Sequence, residues 1–397
     1  MSYFPNRIML RDPAGTVAEV TRYGQQVVGQ RHDDIKCRFE YNNSTYDISV
    51  TTTGTGTSSN SNSQAVASTG AGVGKCTIDT VRCVPYRPAN EIYFFGTAVF
   101  TAGAANTTQK YGMFDDNDGF FFGYSGTTFG ITLRKGGVDT FIAKSSWNKD
   151  KCDGTGISGF NLDPTKNNQY KLIFGWLGIA PISFYVYGGE AVGWIIAHVI
   201  DYTNTQTTPT INSPNQKIRW EVERTSGAGA ITIAVSSVCG GSTQGAHSHA
   251  GHRVFAGSAA VTLTAATETF IAAFRNVTTF QTKINKVWAE AAYMGAATDG
   301  TKNVRFSLKR NSTITGGAWN SVDATNSIME VNTTAASFSG GTTEMIVPML
   351  KTDTLALDLG AGHMHLELGP GDSMMITGYS AGSNDVIVAF RWEEYFA

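Results

Sequence analysis

Three histidines, His247, His249 and His252, fall within six residues, and His363 and His365 are spaced i, i+2. Imidazole is a ready ligand for zinc, and two residues at i and i+2 of a strand point to one side and can reach one ion. His247–His252, however, lies among glycines and has no acidic neighbour to orient a ring. The plainer reading is a polar linker with solvent-facing histidines, and the sharper one is a metal held on an oligomer axis. Sequence leaves both open. The run Asp115–Asp116–Asn117–Asp118–Gly119 carries hard oxygen ligands of the calcium type. It lacks the spacing and closing Glu of the helical calcium loop, so a hydrogen-bonded hairpin turn is expected. Asp150, Asp153 and Asp163 occupy the polar loop around Trp147, where bonds to the loop's own backbone account for Asp without an ion.

Glycoside hydrolysis would need two carboxylates at a definite separation, and Glu190, Glu221, Glu223 and Asp201 are the candidates. No nucleophile elbow, phosphate-binding loop, dinucleotide loop or zinc-metalloprotease helix is present. Trp194, Trp220, Tyr185 and Tyr187 could stack on sugars, but they fall on expected strands, where core or interface positions are the simpler reading. The five cysteines, Cys37, Cys76, Cys83, Cys152 and Cys239, read as small buried hydrophobes of a reducing compartment. Cys76 and Cys83 are close enough in sequence to bridge across a turn. The expectation is a protein with no catalytic residue and no cofactor.

The elements that would position these residues follow from composition. Glycine is 44 of 397 residues and charged residues are only 16%, so polar surface must come from Ser, Thr, Asn and Gly, which suits strands and turns. Lys plus Arg is 30 and Asp plus Glu is 32, for a formal charge of −2. That balance argues against direct sequence-specific nucleic-acid binding. No run of 18 apolar residues is present, so membrane insertion by a helix is not expected. The first residues do not read as a secretion signal.

Short strands joined by Gly/Asn turns recur about every ten residues, including Glu91–Phe100, Phe120–Tyr124, Thr127–Arg134, Ile182–Tyr187 and Ile218–Glu223. The pattern predicts an all-β chain of two antiparallel β-sandwich or jelly-roll domains with an extended amino-terminal segment. The expected boundaries are an arm with short β elements over 1–75, a sandwich over 76–239, a linker over 240–253 and a second sandwich or jelly roll over 254–397. Thr51–Gly74, with almost no large side chain, reads as a surface loop, a flat strand, a segment lying along a neighbour, or an unmoored disordered stretch. One helix is expected over Thr282–Ala292, because Phe280, Ile284, Val287, Trp288 and Ala291 recur at helical spacing.

The segment Gly112–Gly123, GMFDDNDGFFFG, followed by Ser125–Gly130, SGTTFG, resembles an uncharacterised group of virion structural proteins. These occur in tailed phages, often marine, and in some large DNA viruses. Trp147–Gly156, Asn161–Lys166, Phe174–Gly178, Asn212–Asn215 and Ile218–Val222 are similar to the same group, as are Gly54–Ala67 and Tyr86–Pro88. The resemblance spans about residues 43–241. It implies a component of the virion: a tail, baseplate or capsid-decoration protein that packs as a symmetric oligomer with copies of itself and with other capsid or tail proteins. The alternative is a receptor- or glycan-binding spike or fibre that meets a host-surface glycan. The resemblance implies no catalytic or ligand-binding residue.

Overall fold

The computed structural model describes residues 32–86, 88, 90–243, 252–359 and 366–394. Among them there is no α-helix, only a single 3₁₀ turn at Lys144–Ser146, and every strand pairing is antiparallel. The chain divides into two compact units, Met1–His247 and Ser248–Ala397.

The first unit runs through sixteen strands. They are β1 (His32–Arg38), β2 (Ile48–Gly54), β3 (Thr57–Ser61), β4 (Gln64–Ser68), β5 (Gly74–Val84) and β6 (Ile92–Phe100). There follow β7 (Thr107–Phe114), β8 (Gly119–Ser125), β9 (Thr128–Lys135), β10 (Val138–Ala143) and β11 (Asn168–Phe174). The last are β12 (Ile182–Tyr187), β13 (Trp194–Ile200), β14 (Gln216–Arg224), β15 (Thr232–Val235) and β16 (Ser237–Ser242). One sheet has seven strands in the order β10-β9-β8-β7-β14-β5-β2. The other has nine: β13-β12-β11-β6-β15-β4-β3, with β16 also beside β6 and β1 beside β16.

Alternation sets which side chains meet between the sheets. On β14, Ile218, Trp220 and Val222 are fully buried, while Arg219, Glu221 and Glu223 project from the opposite face. Tyr111 and Phe122 from one sheet meet Phe94, Phe100 and Tyr170 from the other in a single core. Phe100 is edge-on to Phe129 at 5.4 Å and to Tyr170 at 5.8 Å, the geometry aromatic quadrupoles favour. The β9–β10 hairpin turns on Gly136 and Gly137, both with positive φ, as a two-residue turn matched to strand twist requires.

The resembling motif has a structural use here. Gly123 faces Gly130 across β8 and β9, and a Cβ on Gly123 would stand 1.7 Å from the carbonyl oxygen of Gln109. Gly123→Ala is therefore expected to force the strands apart and cost about 1–3 kcal/mol, as overpacking does. The denaturation midpoint measures it, and an unchanged midpoint would contradict the close approach.

The expected arm over 1–75 is not separate in its described part. β2 pairs with β5, β4 pairs with β15, and β1 pairs with β16, so the sandwich begins at His32 rather than at Cys76. The small residues of Thr51–Gly74 serve close approach within the chain: Ala65 and Ala67 are fully buried, and a Cβ on Gly56 would lie 2.0 Å from the Lys75 carbonyl oxygen. The candidate strand Thr16–Val20 lies outside the described residues. Cys76 and Cys83 do not flank a turn. Both are on β5, seven residues and so roughly 23 Å apart, far beyond disulfide reach, and both thiols are free.

The second unit also places two main sheets, of six strands each, around one core, with two two-stranded pairings besides. The first orders His252–Gly257, Asn384–Glu394, Ala289–Gly300 and Thr354–Asp358, with Val261–Leu263 and Glu367–Leu368 at its margins. The second orders Asn320–Ser321, Met329–Asn332, Thr269–Asn276, Ser373–Ser380, Val304–Arg310 and Thr342–Met349. Phe274 from the second packs on Phe390 and Trp392 from the first, at 5.3 and 5.8 Å between ring centroids.

No helix forms over Thr282–Ala292. Lys283–Ile284 makes a short pairing with Thr279–Phe280, and Ala289 opens a twelve-residue strand paired along Asn384–Glu394. Phe280, Ile284 and Ala291 fall in three different strands and Val287 and Trp288 in the connection before Ala289, so the helical spacing belongs to no single element. Ile284, which that stripe would bury, is 64% exposed.

Candidate functional site

Two outward faces of the first unit gather side chains able to do chemistry. On the seven-stranded sheet, Glu221 is almost fully buried, taking hydrogen bonds from Lys110 Nζ at 2.9 Å and Thr77 Oγ1 at 3.0 Å, with Lys75 Nζ also at 3.0 Å. Burial works to raise its pKa, but the two ammonium groups outweigh burial and hold it down at about 2. Beside it Arg219 makes a two-pronged pair with Asp79 and reaches Asp116 Oδ1 at 2.6 Å. Burial pushes the Asp79 carboxyl up against the pull of Arg219, and the guanidinium is raised by its two carboxylates despite its own burial.

This arrangement binds its own charges to one another. A carboxylate neutralised by two lysines is a poor general acid at neutral pH, and its oxygens are already taken. Glu223 shares the face of Glu221, whereas Glu190 and Asp201 lie in turns at opposite ends of β13, in the other sheet. Asp201 Oδ1 accepts from the backbone N–H and hydroxyl of Thr203 at 3.0 and 2.6 Å. The four candidate carboxylates are not brought to one place.

The acidic turn is held by its own backbone. Asp115 Oδ1 accepts from the amides of Asn117 and Asp118 at 2.8 and 2.9 Å, and Asp118 Oδ1 accepts from the amide of Asn212 at 3.0 Å. In the Trp147 loop, Asp150 accepts from the amides of Cys152 and Ser158, both at 2.8 Å, and these bonds lower its pKa against a burial effect that would raise it. Asp153 and Asp163 each bond the amide and hydroxyl of the Thr two residues on. Among the described residues no group of three or more His, Cys, Asp or Glu side chains is placed to hold a metal. His247, His249, His363 and His365 lie outside the described residues. His252 begins a strand, with Nδ1 3.8 Å from the buried Glu394.

The outward face of the nine-stranded sheet is different in kind. Of the four aromatic candidates, Trp220 is core, whereas Tyr185, Tyr187 and Trp194 are half-buried on this face. Trp194 stands 5.3 Å from Tyr187 and 5.7 Å from Phe95, ring to ring. Lys171 places its ammonium 4.3 Å from the Tyr185 ring and 4.8 Å from that of Trp194, a cation among π faces. A groove of about 640 Å³ runs over Phe95, Thr97, Gln169 and Trp194 to Lys36 and Arg38 at the β1 edge. Phe95, Lys171 and Gln169 were not singled out in the sequence. The signal was there: Tyr170 and Leu172 alternate with Gln169 and Lys171 along β11, which assigns the latter pair to the outer face.

No protein-family model and no curated protein matches the chain. Solved structures similar to it include a cellulose-induced protein, Cip1, at 14% identity, with 52% of this chain and 96% of that one covered and a TM-score of 0.35. Another is a glycosyl hydrolase family 16 protein from Mycobacterium smegmatis, at 8% identity, 53% and 100% coverage and a TM-score of 0.36. A third is the botulinum neurotoxin serotype C1 binding domain, at 12% identity, 54% and 49% coverage and a TM-score of 0.31. At such values nothing that those proteins bind or hydrolyse transfers to this chain. Among the described residues no helix is long and apolar enough to cross a membrane.

Proposed function

We propose that this protein is a non-enzymatic structural component of a virion. In that reading it is a tail, baseplate or capsid-decoration subunit that packs as a symmetric oligomer against copies of itself and other particle proteins. It does so without membrane insertion or sequence-specific contact to nucleic acid. The observation that carries the reading is the use to which the resembling motifs are put. Gly123 sets strand approach, Trp147 is buried, and Asn215 Oδ1 caps the amide of Tyr86 at 2.7 Å. Trp220 and Val222 fill the core, and the charges of Arg219 and Glu221, which alternate with them on the opposite face, are neutralised internally. These residues maintain a shell. Short strands with tight turns leave few open edges, and subunit contacts can cover the rest. The test is purification of particles through a density gradient followed by mass spectrometry of the peak. The chain is expected to comigrate at a fixed copy number, and its absence from intact particles would refute the proposal.

A second reading, a glycan-binding spike or fibre protein, is favoured by one specific observation: the aromatic and polar groove on the outer face of the nine-stranded sheet.

A further inference from the structure

We propose that β2 is a self-association edge, through which two copies of this chain join their seven-stranded sheets into one. The inference rests on the reading of a subunit that packs against its own copies, and it names the strand that makes the contact. β2 ends its sheet, with β5 on one side and no strand among the described residues on the other. Its residues, ISVTTTG, carry no charge and no proline, pair with β5 without a bulge, and are exposed from Ser49 to Gly54. An edge of this kind is a template for another strand unless a charge, a proline, a bulge or a covering loop guards it. Other edges of the first unit are guarded. Along β13, the Ala197 carbonyl accepts from the amides of Lys149 and Asp150 at 3.2 and 3.1 Å, and the Asn148 side chain bonds both backbone groups of Val199. On β3, the Ser59 carbonyl accepts from Asn43 at 3.2 Å, and Asn60 donates to the Phe39 carbonyl at 2.9 Å. β1 carries Asp33, Asp34, Lys36 and Arg38 and a bulge between Asp33 and Ile35, and β10 carries Asp139.

Strand register shows which groups β2 presents. The Asp47 carbonyl accepts from the Val81 amide, and the Thr55 amide donates to the Val73 carbonyl, so the odd-numbered residues bond β5. Val50 and Thr52 therefore turn their N–H and C=O groups away from the sheet. The Ile48 amide is already given to the Ser44 carbonyl at 2.9 Å. A partner strand related by a two-fold axis at Thr51 runs antiparallel and sets Val50 of each copy opposite Thr52 of the other, each pair exchanging both hydrogen bonds. A second copy suits this edge because an uncharged strand meets itself without like-charge repulsion. The charges next to it on β5 are already held, Lys75 by Glu221 and Asp79 by Arg219. The same axis brings the Tyr46 end of one copy to the Val73 end of the other, and these two side chains are 79% and 54% exposed in the single chain.

The experiment is sedimentation equilibrium on the full chain. The wild type is expected to form dimers, or larger assemblies built from them. Thr52→Pro removes an outward N–H while leaving the bonds to β5 intact. Thr51→Lys sets two ammonium groups against each other on the axis. Each should raise the dissociation constant by about tenfold or more at an unchanged Tm. Thr140→Lys, the matching change on β10, should leave it unaltered. Thr51→Cys should give a disulfide-linked dimer on mild oxidation, because directly opposed residues of a non-hydrogen-bonded pair have Cα atoms about 4.5 Å apart. Cys37, Cys76, Cys83 and Cys152 are buried, and the wild type run in parallel gives the background. A monomeric wild type would overturn the inference and leave the virion reading to the particle gradient. Undiminished assembly in either Thr52→Pro or Thr51→Lys, or dissociation by Thr140→Lys, would put the contact on another surface and leave self-packing standing. A Thr51→Cys variant that assembles without cross-linking would refute the axis at Thr51.

Discussion

Glu221→Ala is expected to lower the stability of the first unit by about 3–5 kcal/mol, because it leaves two ammonium groups crowded against a buried position with nothing to neutralise them. Lys75 and Lys110 both close on this one carboxylate, with the Arg219 guanidinium 3.9 Å from it. In a domain of this size the loss corresponds to a fall in Tm of roughly 6–20 °C. Calorimetry should assign the shift to the transition of the first unit, and a Tm within a degree of wild type would show that the lysines find water instead. The same carboxylate has a pH signature. Its pKa falls from 4.5 in the open chain to about 2 in the fold. A depressed carboxyl stabilises above its unfolded value, and that contribution is lost as pH drops from 4.5 through 2. A displacement of that size is worth about 3 kcal/mol. Asp79, pushed up by burial, acts with the opposite sign, since acid relieves its cost. The clean observable is therefore the difference between wild type and Glu221→Gln, which should narrow steadily across that acid window.

The second large effect separates two tryptophans that the sequence presents alike. Trp220→Ala should cost about 3–5 kcal/mol, the range for emptying a large aromatic from a packed core. Its ring is fully buried and stands 5.4 Å from Phe39. Trp194, half-buried on the outer face, should cost far less when truncated. Parallel denaturant melts of the two variants test the assignment, and equal losses would contradict it.

The contrast shows where sequence reasoning stopped. Trp220 lies in the alternating strand β14, the seven-stranded sheet's inner wall at that point, whereas Trp194 starts β13, an almost wholly apolar edge strand whose sequence does not tell its two faces apart. Facing depends on which sheet covers the strand, and that is a property of pairing over long distances. Individual strands were readable: Ile182–Tyr187 has its expected bounds, and Val386, Val388, Phe390 and Trp392 are buried as their alternation requires. The false helix at Thr282–Ala292 came from apolar residues spread over three strands and a connection, whose spacing matches a helical period without belonging to one element. The run from Ile231 to Val238 carries no Gly, Pro, Asn or Asp to mark a turn, yet the chain there divides into β15 and β16. The groove escaped notice because its lining comes from five strands, β1, β6, β11, β13 and β16, that are far apart in sequence.

That β1 lies against β16, with His32 facing Ser242, also bears on how the chain comes to be folded. Likewise β5 is flanked by β2 and β14, one shortly before it and one far after. Half of the seven-stranded sheet must wait, with β5 and β7 unjoined, until β14 has been synthesised. Pairings of such long sequence separation form slowly, and an incomplete sheet offers its open strands to any neighbouring chain. A chain released before Gln216 would therefore lack the strand that unites the sheet's two halves, and aggregation would be its natural fate. The first sandwich therefore cannot close until β14 and β16 have been made, with the whole second unit still to follow.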